Sequence, residues 1–441
     1  MLKICMVGTG YVGLVSGACL ADFGNVVVCV DIDAKRLEKI EQGIMPIYEP
    51  GLNELVERNH SAGRLLFTTD LGRAVEESLV VFSAVGTPMR DDGSCDLSDV
   101  FKVAEDISPH IKEDKVFVQK STVPVGTSEK VGDIIRERVP GGVTIDRVSN
   151  PEFLREGSAI EDFMRPNRVV IGVESDRARE IMQEIYRPLY LLETPLVFTS
   201  IRTAELIKYA SNAFLATKIS FINEIADLCE KVGADIDEVA KAMGLDRRIG
   251  PKFLHAGIGY GGSCLPKDVS AIIHTAREAD VPLRIINAAS EVNESRIDVM
   301  LEKISAEIPD QKGAVIAVLG LAFKPNTDDI REAPALKLID GLLARGAAIR
   351  AYDPAAALNT KAVYGDRITF CKDSYSAAEG AEALLIATEW NEFRVLDFDK
   401  VKKLMKKLLV FDCRNIYKPD RMKEMGFTYH SFGRRAGSGE R

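Results

Sequence analysis

A glycine-rich segment with one cysteine, Gly259–Asp268, is the part of the sequence best suited to chemistry. It reads Gly-Tyr-Gly-Gly-Ser-Cys-Leu-Pro-Lys-Asp, and its proline suits the first turn of a helix. A thiol at a helix N-terminus is favoured as thiolate by unsatisfied N–H groups and by the positive end of the dipole. Lys267 adds positive charge, and Asp268 offers a carboxylate that can handle a proton or a water. The segment therefore predicts Cys264 as a nucleophile.

A second motif has the G-x-G-x-x-G spacing, follows an apolar strand and opens a helical pattern. Its glycines permit a tight turn, close approach of the backbone to a pyrophosphate, and helix–strand packing. The next strand ends at Asp31, whose carboxylate can accept the ribose hydroxyls of NAD and would repel a 2′-phosphate. FAD or a nucleotide sugar on the same turn stays open, and Arg36 near the adenosine end keeps NADP as an alternative. The predicted NAD contacts in this motif and strand are Gly8, Gly10, Tyr11, Val12, Gly13 and Asp31.

The two motifs together predict a reaction class. A thiolate beside a hydride acceptor can oxidise an aldehyde through a thioester. Two further polar loops follow apolar strands, where ligands of open α/β sheets bind. Val85–Pro88 contains Thr87, and in Ser121–Gly126 the hydroxyl of Thr122 would face the nicotinamide ribose. Both loops are equally acceptable as plain turns.

Lys208 and Asn212, four residues apart in an apolar helical pattern, would share one helix face. A buried ammonium and amide need partners, and stabilising negative charge on a carbonyl oxygen would give them a purpose. An exposed polar stripe explains the same spacing. After a strand, Asn150–Gly157 offers Glu152 as a base and Glu156 as a polar contact, although a capped turn would have the same composition.

Near the C-terminus, Gly320–Arg331 follows a strand where a phosphate loop would lie. It lacks G-x-G-x-x-G, which disfavours a second dinucleotide. Lys324 and Arg331 could hold a nucleotide diphosphate, or they could be ordinary surface charges.

Composition narrows the class of protein. The 441 residues are 46% apolar and 28% charged with a net charge of −9, which predicts a soluble chain of two or three domains and disfavours nucleic acid or an anionic membrane as partner. No apolar run reaches the roughly 18 residues that span a bilayer, and the start does not read as a signal peptide. Eight scattered cysteines and five histidines predict no metal site, no disulfides and a cytoplasmic location. Four cysteines in apolar runs are predicted to pack in the core: Cys5, Cys19, Cys29 and Cys229.

Alternating strand and helix patterns predict an α/β fold, with two Rossmann-like, doubly wound domains joined by a long central helix and a helical region. The central helix, Thr203–Lys231, would be roughly 45 Å long and suits a connector that presents a face to a second subunit. Predicted strands are Ile4–Val7, Val26–Asp31, Leu79–Ala84, Val116–Lys120, Thr144–Ser149, Arg168–Gly172, Ala314–Leu319, Ala348–Tyr352, Ala383–Thr388 and Leu408–Asp412. The predicted domains are residues 1–200 (NAD binding), 201–310 (helical linker and dimerisation) and 311–432 (nucleotide binding), followed by a disordered tail, 433–441.

These segments together resemble the UDP-glucose/GDP-mannose dehydrogenase family over nearly the whole chain. The motifs that carry the resemblance are Gly8–Gly13, Ser121–Gly126, Asn150–Gly157, Lys208–Asn212, Phe253–Asp268 and Gly320–Pro334, with Phe253–Cys264 and Tyr209–Phe214 closest to the UDP-glucose branch. The resemblance implies a four-electron oxidation of UDP-glucose to UDP-glucuronate that consumes two NAD+ and one water. It also implies a C-terminal UDP-sugar domain and a homodimer or higher homo-oligomer.

The resemblance also assigns roles to residues. It implies that Cys264 captures the intermediate aldehyde as a thiohemiacetal and then carries a thioester. Lys208 and Asn212 would stabilise oxyanions, Asp268 and Glu152 would serve proton transfer and water activation, and Thr122 would act through an ordered water. Implied substrate contacts are Glu152, Phe153, Leu154, Arg155, Glu156, Lys208, Asn212, Arg248, Phe253, Leu254, His255, Ala256, Gly257, Tyr260, Gly261, Phe323, Lys324 and Arg414. The resemblance implies Lys267 and Arg331 as cofactor contacts, and the other predicted cofactor contacts are Arg36, Thr87, Thr122 and Glu156.

Three alternatives remain open at this point. A member of the same family could act on GDP-mannose or a UDP-N-acetyl hexosamine. A 3-hydroxyacid dehydrogenase would need no cysteine and would yield one NADH per substrate. A nucleotide-sensing scaffold would have no turnover, but binding alone does not require a thiol.

Overall fold

The computed structural model describes residues 1–434, which form two compact units. Unit 1 comprises Met1–Ser211 and Ser270–Asp280, and unit 2 comprises Asn212–Val269 and the described chain from Val281 onward. The sequence predicted three domains with a separate helical middle. In the structure, the helical middle of the chain is divided between the two units.

The predicted tail begins two residues too early. The backbone N–H of Gly433 donates to Glu230 Oε1 at 2.8 Å, and the Arg434 guanidinium donates to Asp237 Oδ2 at 2.9 Å. Both residues are therefore held by hydrogen bonds, and the remainder of the predicted tail, 435–441, lies outside the described residues.

Unit 1 contains an eight-stranded sheet in the order β3-β2-β1-β4-β5-β6-β7-β8. Neighbouring strands are parallel except β6 and β7, which are antiparallel. The first six strands have the 3-2-1-4-5-6 order of dinucleotide-binding sheets. The strands are β1 Lys3–Val7, β2 Val26–Val30, β3 Leu65–Thr68, β4 Val80–Ser83, β5 Lys115–Gln119, β6 Ile145–Ser149, β7 Val169–Val173 and β8 Leu196–Thr199.

Helices lie on both faces of this sheet, because its apolar strands present side chains to both sides and both must be covered. Asp33, Asp70 and Ser175 begin three of these helices by accepting backbone N–H groups. The helices are α1 Tyr11–Asp22, α2 Ala34–Glu41, α3 Leu52–Ser61, α4 Leu71–Glu77, α5 Ser98–Ile107, α6 Thr127–Arg136, α7 Ala159–Met164 and α8 Asp176–Ile185.

The long helix predicted from the sequence is α9, Ile201–Val232. Its 32 residues give a length of roughly 48 Å. The next helices are α10 Ile236–Leu245, α11 Leu265–Glu278 and α12 Arg284–Glu307. Within residues 1–434, no helix combines the length and apolar character needed to cross a membrane.

Unit 2 contains a six-stranded, wholly parallel sheet in the order β11-β10-β9-β12-β13-β14. The strands are β9 Val315–Leu319, β10 Ala348–Tyr352, β11 Thr369–Phe370, β12 Ala383–Ile386, β13 Leu409–Asp412 and β14 Thr428–His430. The helices of this part are α13 Pro334–Ala344, α14 Ala357–Tyr364, α15 Ser374–Ala378, α16 Asn391–Arg394, α17 Phe398–Leu404 and α18 Pro419–Glu424.

The ten predicted strands are all present, with ends that differ by at most two residues, and the prediction of two Rossmann-like sheets is confirmed. The sequence missed β3, β8, β11 and β14. All four are outermost strands, and most of their residues are partly exposed. Their apolar runs are at most three residues long, which is too short to indicate a strand by pattern alone.

The four cysteines predicted to pack in the core are buried. Burial raises the pKa of the Cys5 thiol to about 12, and it raises the pKa of Cys19, Cys29 and Cys229 as well. These four thiols therefore remain protonated and are packing residues.

Candidate active site

The glycine loop of unit 1 connects β1 to α1 within three residues. Gly8 has φ +96°, and a Cβ on Gly13 would lie 1.9 Å from the Gly8 carbonyl oxygen, so side chains are excluded at both positions. Gly10 differs, because a Cβ there would have no protein atom within 4 Å. Gly10 also precedes a helix whose first turn has no side-chain cap and no acidic residue. This open helix N-terminus fits the pyrophosphate of a dinucleotide.

Asp31 follows β2 and is nearly buried. Its Oδ2 accepts hydrogen bonds from the Thr9 backbone N–H at 2.9 Å and from Thr9 Oγ1 at 2.6 Å, and its Oδ1 accepts one from Asp33 N–H at 3.0 Å. Burial alone would raise the pKa of Asp31, but these bonds and the Arg36 guanidinium at 3.4 Å outweigh it and lower the pKa. Asp31 is therefore an anion that holds the loop and still has an oxygen for a ribose hydroxyl.

Glu49, which the sequence interpretation missed, ties this loop to the 150–157 loop. Its carboxylate accepts the Tyr11 hydroxyl and the backbone N–H groups of Gly157 at 2.7 Å and Ala159 at 2.8 Å. It therefore caps α7 from 110 residues away in the chain. Burial and the bond to Glu49 raise the pKa of Tyr11, so the phenol stays neutral. The half-buried Glu156 lies close enough to contribute to this shift.

Glu205 plays the same part for the loop that carries Thr122. Its oxygens accept the backbone N–H groups of Gly126 at 2.7 Å and Ser128 at 2.9 Å, at the start of α6. Thr122 itself is buried, and the neighbouring Ser121 hydroxyl donates to the Val85 carbonyl at 2.7 Å. The two strand-end loops predicted from the sequence are thus joined directly.

Lys208 and Glu152 form a buried ion pair, with Lys208 Nζ 3.0 Å from Glu152 Oε1. The other oxygen of Glu152 accepts the Leu154 backbone N–H at 2.5 Å. Burial would raise the pKa of Glu152, but the charge of Lys208, these bonds and the charge of Lys120 together lower it. The ring of Phe153 lies between two cations, 5.3 Å from Lys208 Nζ and 3.7 Å from the Arg168 guanidinium. Because its pKa is lowered, the buried carboxylate of Glu152 is ionised and can accept hydrogen bonds or a proton.

Arg155, on the same loop, is exposed, and its guanidinium donates to both carboxylate oxygens of Asp162. Its predicted substrate contact remains a prediction, as does that of Leu154, whose side chain packs against the core. Thr87 and Arg36 lie in unit 1, near the carboxyl ends of β4 and β2.

In unit 2, Cys264 immediately precedes α11, as the sequence predicted. Its carbonyl oxygen accepts the Asp268 N–H at 2.9 Å, which closes the first turn, and its sulfur lies 3.6 Å from Ser263 Oγ. Asp268 is buried, and its two oxygens accept hydrogen bonds from Asn212 Nδ2 at 2.6 Å and Lys267 Nζ at 2.7 Å. The half-buried thiol therefore lies one helical turn before a fixed carboxylate.

The predicted Lys208–Asn212 pair does not form a single polar stripe. Each residue is buried and has its own acidic partner, Glu152 for Lys208 and Asp268 for Asn212. The alternative of an exposed stripe is therefore wrong.

The 253–261 segment of unit 2 is held mainly through its backbone. Gly257 N–H donates to Asn223 Oδ1 at 2.8 Å, and Ile258 N–H donates to the Cys413 carbonyl at 3.0 Å. The side chains of Leu254 and Ala256 point into the core, so any substrate contact there would come from their backbone. Phe253 has φ +64°, and His255 is exposed. Tyr260 is largely buried, and a Cβ on Gly261 would lie 2.2 Å from the Glu332 carbonyl oxygen.

Arg414 fixes the surroundings of this segment. Its guanidinium donates to the carbonyl oxygens of Gly259 at 3.1 Å, Phe323 at 3.0 Å and Ala387 at 2.9 Å. The guanidinium therefore already has three protein acceptors, and its predicted contact with the substrate remains a prediction. Lys324 Nζ lies 5.4 Å from the Phe323 ring.

Two predicted arginine contacts lie on the surface. Arg331 is exposed and paired with Asp329 at 2.7 Å, and Arg248 is exposed and paired with Asp246 at 2.6 Å. Within residues 1–434, no group of three His, Cys, Asp or Glu side chains is arranged to hold a metal ion.

The fold and glycine loop of unit 1 define a dinucleotide-binding enzyme of the doubly wound α/β class. Residues 2–190 match the NAD binding domain of the UDP-glucose/GDP-mannose dehydrogenase family, residues 202–295 match its central domain and residues 317–419 match its UDP binding domain. The chain belongs to this family of NAD-dependent dehydrogenases, which confirms the resemblance and the choice of NAD.

Individual relatives agree with this assignment. A UDP-glucose 6-dehydrogenase of Rhizobium meliloti is 55% identical, over 98% of this chain and 100% of its own length. A solved UDP-glucose dehydrogenase from the archaeon Pyrobaculum islandicum is 39% identical with a TM-score of 0.91, over 98% of this chain and 97% of that one. A solved UDP-D-ManNAc dehydrogenase from Pyrococcus horikoshii is 28% identical with a TM-score of 0.87, over 98% of this chain and 100% of that one.

The cap supplied by Glu205 can be tested by Glu205→Ala. This change leaves the N–H groups of Gly126 and Ser128 without their acceptor, so we expect a loss of about 1–2 kcal/mol in the free energy of unfolding. It should also lower kcat/KM, because Thr122 lies on the loop that precedes this helix. Glu129→Ala is the control. Glu129 lies in the first turn of α6, the helix that Glu205 caps, but it pairs with the exposed Arg202. Equal effects of the two changes on denaturant unfolding would contradict the role of Glu205.

Proposed function

We propose that this chain is a UDP-glucose 6-dehydrogenase, which oxidises UDP-glucose to UDP-glucuronate with two NAD+ and one water. The names of relatives that match nearly the whole chain support the substrate. The observation that carries the chemistry is the arrangement of Cys264 and Asp268 at the first turn of α11. Binding of a nucleotide sugar would not require a thiol at a helix N-terminus followed by a fixed carboxylate.

NAD, when bound, supplies the oxidant for both oxidation steps. The open N-terminus of α1 at Gly10 would hold its pyrophosphate, and Asp31 would accept a ribose hydroxyl. The carboxylate is already an anion held by Thr9 and Asp33, so a 2′-phosphate would meet a fixed negative charge. The Arg36 guanidinium lies 3.4 Å from the same carboxylate. Because Arg36 is paired with Asp31, it is less able to bind a 2′-phosphate.

Cys264 is the proposed nucleophile toward the intermediate aldehyde. Its thiolate sulfur forms a bond to the aldehyde carbon, and the carbonyl oxygen takes up the electron pair and then a proton, which gives a thiohemiacetal. Oxidation of this adduct leaves a thioester. Water then attacks the thioester carbon, the C–S bond breaks, and the sulfur leaves as thiolate while the sugar carboxylate forms and both protons of the water are released. The covalent adduct keeps the half-oxidised sugar bound between the two oxidations.

Asp268 is the proposed acceptor for the proton of the attacking water. Its buried carboxylate is oriented by Asn212 and Lys267, so a water bound near the thioester would meet a preorganised acceptor. The amide of Asn212 and the ammonium of Lys208 are the proposed donors to oxyanions. Glu152 is the proposed second proton acceptor, because it is ionised although buried.

We also propose that the chain forms a homodimer through α9. Phe214, Phe221 and Leu228 are exposed at seven-residue spacing along one side of this helix, with Val232 beyond them. Large apolar side chains in a continuous stripe are unusual on a monomer surface and are typical of a subunit interface.

The nucleophile is tested by Cys264→Ala. Without the sulfur no covalent adduct forms, so we expect steady-state NADH production from UDP-glucose to fall by about 10³-fold or more. Nucleotide binding, measured by calorimetry, should remain. The unmodified enzyme should release two NADH per UDP-glucose. Cys371→Ser is the control, because this half-buried thiol lies at the end of β11. Unchanged turnover in Cys264→Ala would contradict the mechanism, and a preference for UDP-N-acetyl hexosamines or GDP-mannose would contradict the substrate.

The ribose contact is tested by Asp31→Asn. The amide keeps the size of the side chain but removes its charge, so we expect the ratio of kcat/KM for NAD to that for NADP to fall by about tenfold or more, which corresponds to about 1.4 kcal/mol. Asp33→Asn is a suitable control, because Asp33 caps the next helix, α2. An unchanged ratio in Asp31→Asn would show that Asp31 does not select the cofactor.

The interface is tested by Phe221→Glu. A charge in the middle of the stripe would be buried without a partner on dimerisation, so we expect the dimer to dissociate in sedimentation experiments at micromolar concentration. Leu358→Glu is the control, since Leu358 is also an exposed apolar residue but lies on a different helix, α14. A Phe221→Glu protein with unchanged sedimentation would exclude α9 as the interface.

A further inference from the structure

Strand β5 has a buried lysine at each end. Lys115 opens the strand, and its Nζ donates to the carbonyl oxygens of Ser78 at 2.7 Å and Glu76 at 3.2 Å. Lys120 directly follows the strand and is just as buried. In the part of the chain that the structure describes, its Nζ makes one hydrogen bond, to Asn150 Oδ1 at 3.2 Å. An ammonium has three donors, so Lys120 is poorly satisfied for a charge in the core.

The surroundings of Lys120 contain two charged groups. Glu152 and Lys208 lie close enough for their charges to act on it. Two neutral groups also lie beside it: the Phe163 ring, 5.8 Å from Nζ, and the Tyr186 hydroxyl, which donates to the same Asn150 oxygen at 2.6 Å. Tyr186 stays neutral because burial raises its pKa. Lys120, Glu152 and Lys208 therefore form one buried cluster with two potential cations and one anion.

Keeping both lysines protonated in this buried cluster is energetically unfavourable. Burial lowers the pKa of Lys120 to about 8, the charge of Glu152 opposes this shift, and the charge of Lys208 adds to it. The charge of Lys120 in turn lowers the pKa of Glu152. The net charge of the cluster therefore changes at a pH close to neutrality.

We propose that Lys120 is a positioning residue that sets the charge of the Glu152–Lys208 pair, while its bond to Asn150 holds the loop that carries Glu152. A nearby positive charge favours the carboxylate of Glu152 and disfavours a proton on Lys208. This role rests on the proposed function, in which Glu152 must be ionised to accept a proton. Lys120 acts through these two residues and need not touch the substrate.

The test uses Lys120→Met and Lys120→Gln, with Lys115→Met as the matched control. Both Lys120 variants remove the charge, and Asn150 keeps the Tyr186 hydroxyl as a donor, while Gln can also replace the lost hydrogen bond. We expect the acidic limb of kcat/KM against pH, measured with UDP-glucose and NAD, to move up by roughly one pH unit in both, because loss of the charge raises the pKa of Glu152. Lys115→Met should keep the profile of the unmodified enzyme.

Three results would overturn the proposal. An unchanged profile in folded Lys120→Met and Lys120→Gln would show that the charge has no effect on Glu152. A shift in Met but not in Gln would assign the effect to the hydrogen bond. An equal shift in Lys115→Met would assign it to general loosening of β5.

A second readout does not depend on turnover. The pKa of Lys120 is lowered in the folded chain, so between about pH 8 and the unfolded value of 10.5 the unfolded chain binds more protons, and Lys120 makes stability rise with pH. Relative to the unmodified chain, Lys120→Met should therefore be most stabilised below about pH 8, and the difference should decline toward pH 10.5. If no sugar nucleotide is oxidised, the proposed function fails, but this comparison still measures the cluster. If the stability difference between Lys120→Met and the unmodified chain does not vary with pH, Lys120 is not part of the titrating cluster.

Discussion

A charge buried in a protein core must be paired, and this requirement shapes the polar end of the sheet in unit 1. The Glu152–Lys208 pair is out of solvent, and its distance of 3.0 Å is short enough for the two charges to compensate for lost hydration. Removing either partner would leave the other charge uncompensated, so the loop after β6 and the start of α9 are fixed together. Asn150, two residues before Glu152, is held separately, because its Nδ2 donates to the Val170 carbonyl at 2.8 Å and its N–H to the Gln119 carbonyl at 2.9 Å.

Loops that carry reactive groups are held here by carboxylates from distant segments. Glu49 caps α7 and Glu205 caps α6, and both helices follow loops with predicted site residues. A cap from within the loop would occupy the side chains that face the ligand, whereas a cap from another element leaves them available. These two residues are therefore positioning groups for the loops, although neither lies in a recognisable motif.

The sequence predicted most of the fold and the helix-end position of Cys264, for identifiable reasons. Central strands such as β4 and β5 are buried on both faces and read as apolar runs, whereas the edge strand β14, Thr-Tyr-His, does not. Cys264 could be found because its glycine, proline and charged neighbours are local. The partners of Lys208 and Asn212 could not, because each lies 56 residues away and sequence spacing carries no information about such contacts.

The two Rossmann-like sheets show why only one is suited to a dinucleotide. Each has an acid after its second strand, Asp31 and Asp353, that bonds to the loop after the first strand. Asp353 also accepts the Trp390 indole N–H at 3.2 Å and the N–H groups of two residues that follow it, so its lone pairs are used within the protein. Moreover, α1 begins three residues after Gly8, whereas α13 begins only at Pro334, fourteen residues after Gly320. The second loop therefore lacks the adjacent helix N-terminus that would hold a pyrophosphate, and the acid after β10 has no lone pair left for a ribose hydroxyl.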